Sequence, residues 1–219
     1  MQPKNPLDPI VEDRNSKRFA RIYDSMNERS ERKLRGVRSA LFQHVAGNVV
    51  ELGPGTGANL RYYEAAERVT LVEPYRAMRK ILADRVESAH NSDVFSIVDG
   101  RAECVPVDSQ SIDTVVSTLV LCSVPDVDRT LAEIRRILKP TGVLVFLEHH
   151  VGTGPRSTLQ HVLTPFMKKY AANCHLDRNT PRALSRSGFS VQTTITVPNG
   201  LSLRVSPTWP MAAGIATPS

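Results

Sequence analysis

Three stretches of this chain have residue types and spacings suited to holding a small charged ligand. The first is the run Val49-Val50-Glu51-Leu52-Gly53-Pro54-Gly55-Thr56-Gly57-Ala58-Asn59. Glycines allow a sharp turn and let a ligand approach the backbone closely. A site for a diphosphate calls for G-x-G-x-x-G, which seats a pyrophosphate on a helix N-terminus. Here the third glycine, Gly57, comes one residue earlier, and Glu51 stands two residues before Gly53. That combination suits a cationic amino-acid ligand, whose ammonium Glu51 binds directly or through water. The second stretch is Val69-Thr70-Leu71-Val72-Glu73-Pro74. An acid that ends a strand here accepts hydrogen bonds from ribose hydroxyls. Met78, a few residues on, offers either a sulfur-bearing face for an adenine or an ordinary core side chain. The third stretch is Asp99-Gly100-Arg101-Ala102-Glu103, where backbone groups at Arg101 and Ala102 can read an adenine edge.

A methionine ammonium, a ribose and an adenine together describe S-adenosylmethionine (SAM). Its methyl group needs a nucleophile held in line at near-attack distance, and positioning alone supplies much of the acceleration. Groups able to assist belong at the ends of the fourth and fifth strands. Thr118 and Leu119 end the fourth and should line the cofactor. Glu148, His149 and His150 end the fifth. His149 is the candidate base or thiolate stabiliser, and Glu148 either orients it or lines the cofactor pocket. Cys122 is an acceptor-side candidate or an inert buried thiol. Cys174 and His175 belong to a segment expected to cap the site. Their spacing is not that of a metal site, and the three cysteines Cys104, Cys122 and Cys174 fit neither a zinc pattern nor a disulfide framework. No metal is expected.

These residues require a parallel sheet to position them. Helix is expected over 15–45, in two pieces, with apolar residues at Phe19, Ile22, Tyr23, Met26, Leu34, Val37, Leu41 and Phe42. Strands are expected at Asn48–Leu52, Val69–Val72, Val94–Val98, Ile112–Ser117 and Val143–Glu148. Helices are expected at Asn59–Ala66, Arg76–Ala89 and Val127–Leu138, the last broken by Lys139-Pro140-Thr141-Gly142. Beyond residue 150 the pattern predicts helices at Ser157–Ala172 and Pro181–Ser187, then strands at Ser190–Val197 and Met211–Thr217. Strand–helix alternation at this spacing means a sheet covered on both faces. The expected organisation is a tail over 1–14 and one domain over 15–219. That domain divides into a helical cap (15–45), a SAM-binding core (46–150) and an acceptor-site cap with the final strands (151–219).

The 219 residues carry 28 Lys/Arg against 22 Asp/Glu. The whole excess lies in residues 151–219, where Asp177 is the single acid. A solvated basic surface, a rim for anionic substrates, or a loose contact with membrane or RNA all fit that asymmetry. No run is apolar and long enough to span a bilayer, and the polar start lacks the apolar core of a signal peptide. A cytoplasmic location without a stable membrane anchor is therefore expected. Nucleic acid is not an expected partner. The position after strand four reads Thr118-Leu119-Val120-Leu121 rather than the Asn/Asp-Pro-Pro-aromatic signature that grips an exocyclic amine, and aromatics are only 5% of the chain, leaving few stacking platforms. Oligomeric state is not legible.

The glycine turn, Glu73, the strand bearing Asp113 and Leu138-Lys139-Pro140-x-Gly142, in that order, resemble the class I SAM-dependent methyltransferases. The resemblance implies a Rossmann-like α/β fold with a mostly parallel seven-stranded sheet and helices on both faces. Gly55-Thr56-Gly57-Ala58-Asn59, Ser117 to Val124, Glu148-His149, Cys174 to Thr180 and Ser187-Gly188-Phe189 are more narrowly similar to the mammalian microsomal alkyl-thiol methyltransferases and their bacterial relatives. That similarity implies methyl transfer to a small-molecule acceptor, a thiol; O- or N-methylation of a secondary metabolite and, behind it, RNA methylation stand beside it as alternative readings. In that family a glycine usually precedes the Cys174 position, where this chain has Asn173. The mammalian members also carry an N-terminal hydrophobic anchor, which this sequence does not show. Tyr23 resembles the tyrosine that closes over the SAM carboxylate in related enzymes.

Overall fold

The computed structural model describes residues 20, 23–24, 33–197 and 210–219. The expected tail and Phe19, Ile22 and Met26 of the first helix lie outside the described residues. The elements run α1 (residues 33–42), β1 (Gly47–Leu52), β2 (Ala66–Val72), α2 (Arg76–Glu87), β3 (Phe95–Val98), β4 (Ile112–Thr118), α3 (Val127–Ile137), β5 (Leu138–His149), α4 (Pro155–Tyr170), α5 (Thr180–Arg186), β6 (Phe189–Val197) and β7 (Met211–Pro218).

One seven-stranded sheet has the order β3-β2-β1-β4-β5-β7-β6. The pairings β1–β2, β1–β4, β2–β3 and β4–β5 are parallel. β7 runs antiparallel to both β5 and β6, so the sheet is mixed. The fold is the Rossmann-like one expected, with the chain's last two strands added as an antiparallel hairpin. Because β1 leads outward to β2 and β3 on one side while β4 and β5 lie on the other, the strand order reverses between β1 and β4. Open α/β sheets bind ligands at the carboxyl ends of the strands flanking such a reversal.

Successive strand residues point to opposite faces, and here both faces are buried. Val50, Leu52, Val115, Leu144 and Phe146 pack on one side with Leu131, Ile134 and Ile137 of α3 and Leu184 of α5. Val49, Leu71, Val116, Val145 and Leu147 pack on the other with Leu34, Leu41 and Phe42 of α1 and Leu82 of α2. This is why the central strands read as continuous apolar runs rather than alternating ones.

Three local differences from the sequence pattern have physical causes. The helix expected at Asn59–Ala66 is only a single 3-10 turn, Leu60–Tyr62, because β2 already begins at Ala66. β5 starts at Leu138 rather than Val143. Leu138 pairs with Ile112, and the ladder resumes at Val143 opposite Thr114 across an irregularity. Lys139 within it donates to the Asp113 carboxylate at 2.7 Å, which accounts for the lysine of the Lys-Pro-x-Gly turn. Finally, the fully buried residues of α4 are polar, Gln160 and Thr164, while its Leu163 and Met167 are partly buried against Cys122, Cys174 and Leu176. The Gln160 amide donates to the carbonyls of His150 and Leu176, and its oxygen accepts from the Gly152 N–H. That one side chain ties the cap segment to the end of β5. No helix among the described residues is long and apolar enough to cross a membrane.

Candidate active site

The glycine turn opens directly from the buried end of β1. Gly53, Gly55 and Gly57 all have positive φ, at 55°, 59° and 92°. A Cβ on Gly53 would meet Val120 Cγ2 at 2.7 Å, and one on Gly55 would meet the Tyr23 ring at 3.1 Å. The turn is therefore closed over by Val120 from the segment after β4 and by Tyr23 from the N-terminal cap. Inside it, the Thr56 hydroxyl is buried without a hydrogen-bond partner among the described residues. A bare-backbone cradle holding an unsatisfied hydroxyl fits the amino-acid end of SAM.

Glu73 stands at the end of β2 with its carboxylate turned toward this cradle. Its Oε2 accepts from the Gly55 N–H at 3.0 Å, and its Oε1 accepts from the Tyr75 N–H at 2.9 Å. Burial raises its pKa to about 7, against the opposing pull of those two N–H groups. Pro74 follows it, and Met78 is buried on the first turn of α2. Arg79, one residue further, donates to the Glu73 carbonyl and forks onto Asp99 at 2.8 and 2.6 Å, joining the ends of β2 and β3. Past Asp99, Ala102 is buried, and Arg101 keeps two buried guanidinium nitrogens, Nε and Nη1, that make no hydrogen bond among the described residues.

Glu51 and Asn59 meet each other behind the turn. The Asn59 amide donates to Glu51 Oε1 at 2.6 Å and to Thr118 Oγ1 at 2.9 Å, and the Tyr63 hydroxyl donates to Glu51 Oε2 at 2.7 Å. Arg38 donates to the Asn59 side-chain oxygen, Oδ1. Each of Arg38, Glu51, Asn59 and Tyr63 is almost fully buried, and burial raises the Glu51 pKa. Arg38 and Tyr63 carry no motif, so sequence reasoning passed over them. An arginine on the stripe of α1 that carries Leu34, Val37 and Leu41 is the signal that was there to read.

At the end of β4, Leu119 has φ of 62°, a backbone conformation that non-glycine residues seldom hold. It reverses the chain so that Val120 covers Gly53 and the next residues turn back toward β5. Glu148, fully buried at the end of β5, holds that turn. Its Oε1 accepts from the Ser117 hydroxyl and from the N–H groups of Val120 and Leu121, and its Oε2 accepts from the Cys122 N–H at 3.1 Å. Burial raises its pKa well above the usual carboxylate range. With both oxygens given to the turn, Glu148 shapes the segment bearing Cys122 rather than orienting His149.

His149 is brought against two cysteines. Its Nδ1 lies 3.4 Å from Cys122 Sγ and 3.3 Å from Cys174 Sγ, and the two sulfurs are 3.9 Å apart. Hydrogen bonding from the Cys174 thiol, outweighing burial and aided by His149, holds the Cys122 thiol well below its usual range, while the same pairing and burial push Cys174 up. Asn173 resolves the departure from glycine before Cys174. It has φ of 63°, a left-handed conformation that asparagine tolerates, and its amide donates to the Ser123 carbonyl at 2.8 Å. The neighbouring histidines play different parts. His175 is half-buried, its pKa lowered to about 4 by burial and by Arg178 and Lys168, and its backbone N–H donates to the Cys122 carbonyl. His150 has a buried Nδ1 that makes no hydrogen bond among the described residues, and burial lowers its pKa. Tyr23 is part-exposed, yet its hydroxyl is enclosed enough that burial pushes its pKa up to about 12, with Arg38, Glu73, Cys122 and Glu51 all in electrostatic reach.

Comparison with known proteins gives the family of the chain. Residues 50–146 match the family described as a methyltransferase domain. Human thiol S-methyltransferase TMT1A is 35% identical, covering 79% of this chain and 72% of its own. The mouse thiol S-methyltransferase TMT1B is 36% identical, covering 78% and 75%. Among solved structures, a geranyl diphosphate methyltransferase in complex with SAM superposes with a TM-score of 0.68, covering 84% of this chain and 85% of that one. At 14% identity that likeness speaks to the fold alone.

Proposed function

This chain belongs to the family of the thiol S-methyltransferases and is a SAM-dependent methyltransferase, and from that premise we propose that it methylates the sulfur of small thiols. The observation that carries the reading is the acceptor side of the site. It is built from Cys122, His149 and Cys174, within 3.9 Å of one another, at the carboxyl ends of β4 and β5 and on the cap. Glu148, the carboxylate nearest in sequence, is spent on backbone and hydroxyl donors. What faces the acceptor is therefore imidazole and sulfur, which suit a thiolate better than an alcohol that must lose a proton to a strong base.

When bound, SAM supplies a methyl group made electrophilic by its sulfonium. The chain's residues do the rest. The Gly53–Gly57 turn, with Thr56, Tyr23 and the Glu51–Asn59 network behind it, receives the methionine end. Glu73 accepts from the ribose hydroxyls, Met78 packs against the adenine, and Pro74, Arg101 and Ala102 border it. Thr118 and Leu119 line the cofactor where β4 ends. The segment 151–219 covers the acceptor. A free thiol has a pKa of about 8.5, so a few per cent is thiolate at neutral pH. His149 raises that fraction and holds the sulfur in line, and positioning supplies the remainder.

The test is incubation of the purified protein with methyl-labelled SAM and a matched panel of small thiols, phenols and amines. Label on the thiols is the expected result. Label on phenols or amines alone would remove the thiol assignment and leave the enzyme class standing.

A further inference from the structure

Sequence spacing gives no hint of a metal site, because Cys122, His149 and Cys174 come from three separate segments. Their ligand-capable atoms nonetheless converge into the one group of three or more potential metal ligands found among the described residues. The shape of that group is informative. Zinc holds thiolate sulfur at about 2.3 Å and imidazole nitrogen at about 2.0–2.1 Å, so two sulfurs on one tetrahedral zinc stand about 3.8 Å apart and a sulfur and a nitrogen about 3.5 Å apart. The observed edges are 3.9 Å between the sulfurs and 3.4 and 3.3 Å from each sulfur to Nδ1. The three atoms form a face of the right size for one tetrahedral ion.

We propose that Cys122, Cys174 and Nδ1 of His149 bind a single zinc ion whose fourth position takes the acceptor thiolate. This rests on the thiol reading above for the identity of the fourth ligand, and on the three-atom face alone for the metal. Two cysteines and one histidine with one open position are the donor set of a catalytic rather than a structural zinc, and soft thiolate ligands select it over the harder cations. A zinc dication also solves a charge problem, since two thiolates in a buried place are costly without a cation beside them.

Backbone hydrogen bonds fix the segments that carry Cys122 and His149. The Cys122 N–H is fixed by Glu148 at 3.1 Å. Arg178 clamps the same turn through the carbonyls of Leu121 and Val124. His175 ties the cap to it through the Cys122 carbonyl at 2.8 Å, and Thr180 reaches the His149 carbonyl at 3.4 Å. The site is also next to the cofactor cradle. Val120, two residues before Cys122, covers Gly53, and Tyr23, which covers Gly55, is within electrostatic reach of Cys122. In the reaction His149 then acts on the acceptor through the zinc it ligates, and the acceptor thiol gives its proton to solvent on joining the metal. Its sulfur then forms a bond to the methyl carbon as the methyl–sulfonium bond breaks, and that electron pair returns to the cofactor's sulfur. The product is a neutral thioether, a poor zinc ligand, which leaves.

The test is metal content and cobalt substitution on the full chain, purified under reducing conditions. Zinc should be present at one equivalent, and the stripped protein should take up one equivalent of Co2+ with the absorption of a tetrahedral, thiolate-ligated ion. Adding a small thiol should shift those bands. Cys122→Ser, Cys174→Ser and His149→Ala should each lose the signal while retaining SAM binding, which reports that they are folded. Cys104→Ser, which alters an exposed cysteine, should keep it. Absence of stoichiometric metal, a cobalt signal that survives both Cys122→Ser and Cys174→Ser, or a Cys122–Cys174 disulfide in place of metal binding would overturn the site. Thiol methylation by metal-free protein would overturn it while leaving the thiol reading intact. A bound metal in a protein that methylates only phenols or amines would overturn the fourth-ligand assignment and the thiol reading together.

Discussion

The Cys122 backbone N–H donates to the buried Glu148 carboxylate at 3.1 Å, so the end of β5 sets the position of a sulfur that belongs to the segment after β4. The same carboxylate takes up three more donors from Ser117, Val120 and Leu121. One side chain therefore aligns the proposed acceptor side of the site with the Val120 methyls that close over the glycine turn.

Glu148→Gln tests that arrangement. The amide oxygen can replace Oε1, but its NH2 would face the Cys122 N–H, donor against donor. One buried N–H left unpaired costs about 2 kcal/mol, seen as a lowered midpoint in urea with an unchanged slope. Turnover should fall more than SAM affinity does. Equal turnover in the variant and the parent would remove Glu148 from the positioning role.

Glu73 should make SAM binding pH-dependent. In the cofactor-free protein its pKa is raised to about 7 by burial. Because the folded value lies above the unfolded one, its contribution to stability is present at low pH and is lost as pH rises through about 7. Ribose hydroxyls need the ionised form, so binding must expel the proton. SAM affinity should therefore rise several-fold from pH 6 to about pH 7.5, above which the ligand's own ammonium begins to lose its proton. Calorimetric titration across that range reads it directly, and Glu73→Gln should bind more weakly and without the slope. An affinity that falls as pH rises would contradict the assignment.

His149→Ala should spare SAM affinity and lower turnover on a thiol by about a hundredfold. Glu73→Ala should do the reverse, losing SAM binding first. Measuring both constants for both variants separates cofactor side from acceptor side. If His149→Ala turns over as fast as the parent, the imidazole has no part in the chemistry.

Gly53→Ala should cost about 2 kcal/mol of stability and weaken SAM binding. The position has φ of 55°, and the new Cβ would lie 2.7 Å from Val120 Cγ2. Val120→Ala should recover part of the loss in the double variant, since it removes the atom that is struck. Complete additivity of the two changes in urea unfolding would mean the contact is not what limits the site.

The proposed cofactor half could be read from the sequence because it is local. Gly53, Gly55 and Gly57 lie within five residues, and Glu73 ends the next strand, so a turn and a strand end suffice to predict both. The alternation of strands and helices was legible for the same reason, since a strand buried on both faces has to be apolar throughout, as Val115–Val116 and Val145–Leu147 are. Where local signal failed, a neighbour's geometry had decided. The eight residues expected as helix from Asn59 shrank to one turn because β2 begins at Ala66, and Asn59 itself is held in a network with Arg38 and Glu51.

By itself the sequence determined the class of fold, the cofactor and the order of the elements that receive it, because each depends on residues close together in the chain. Only the tertiary structure decided what Glu148 does and that Cys122, His149 and Cys174 share one place. Their positions are set by the strained turn at Leu119, the parallel register of β4 against β5 and the Gln160 and Asn173 hydrogen bonds that fold the cap back. Contacts between residues 25 to 52 positions apart depend on how a whole sheet packs, and no local pattern of residue types encodes them.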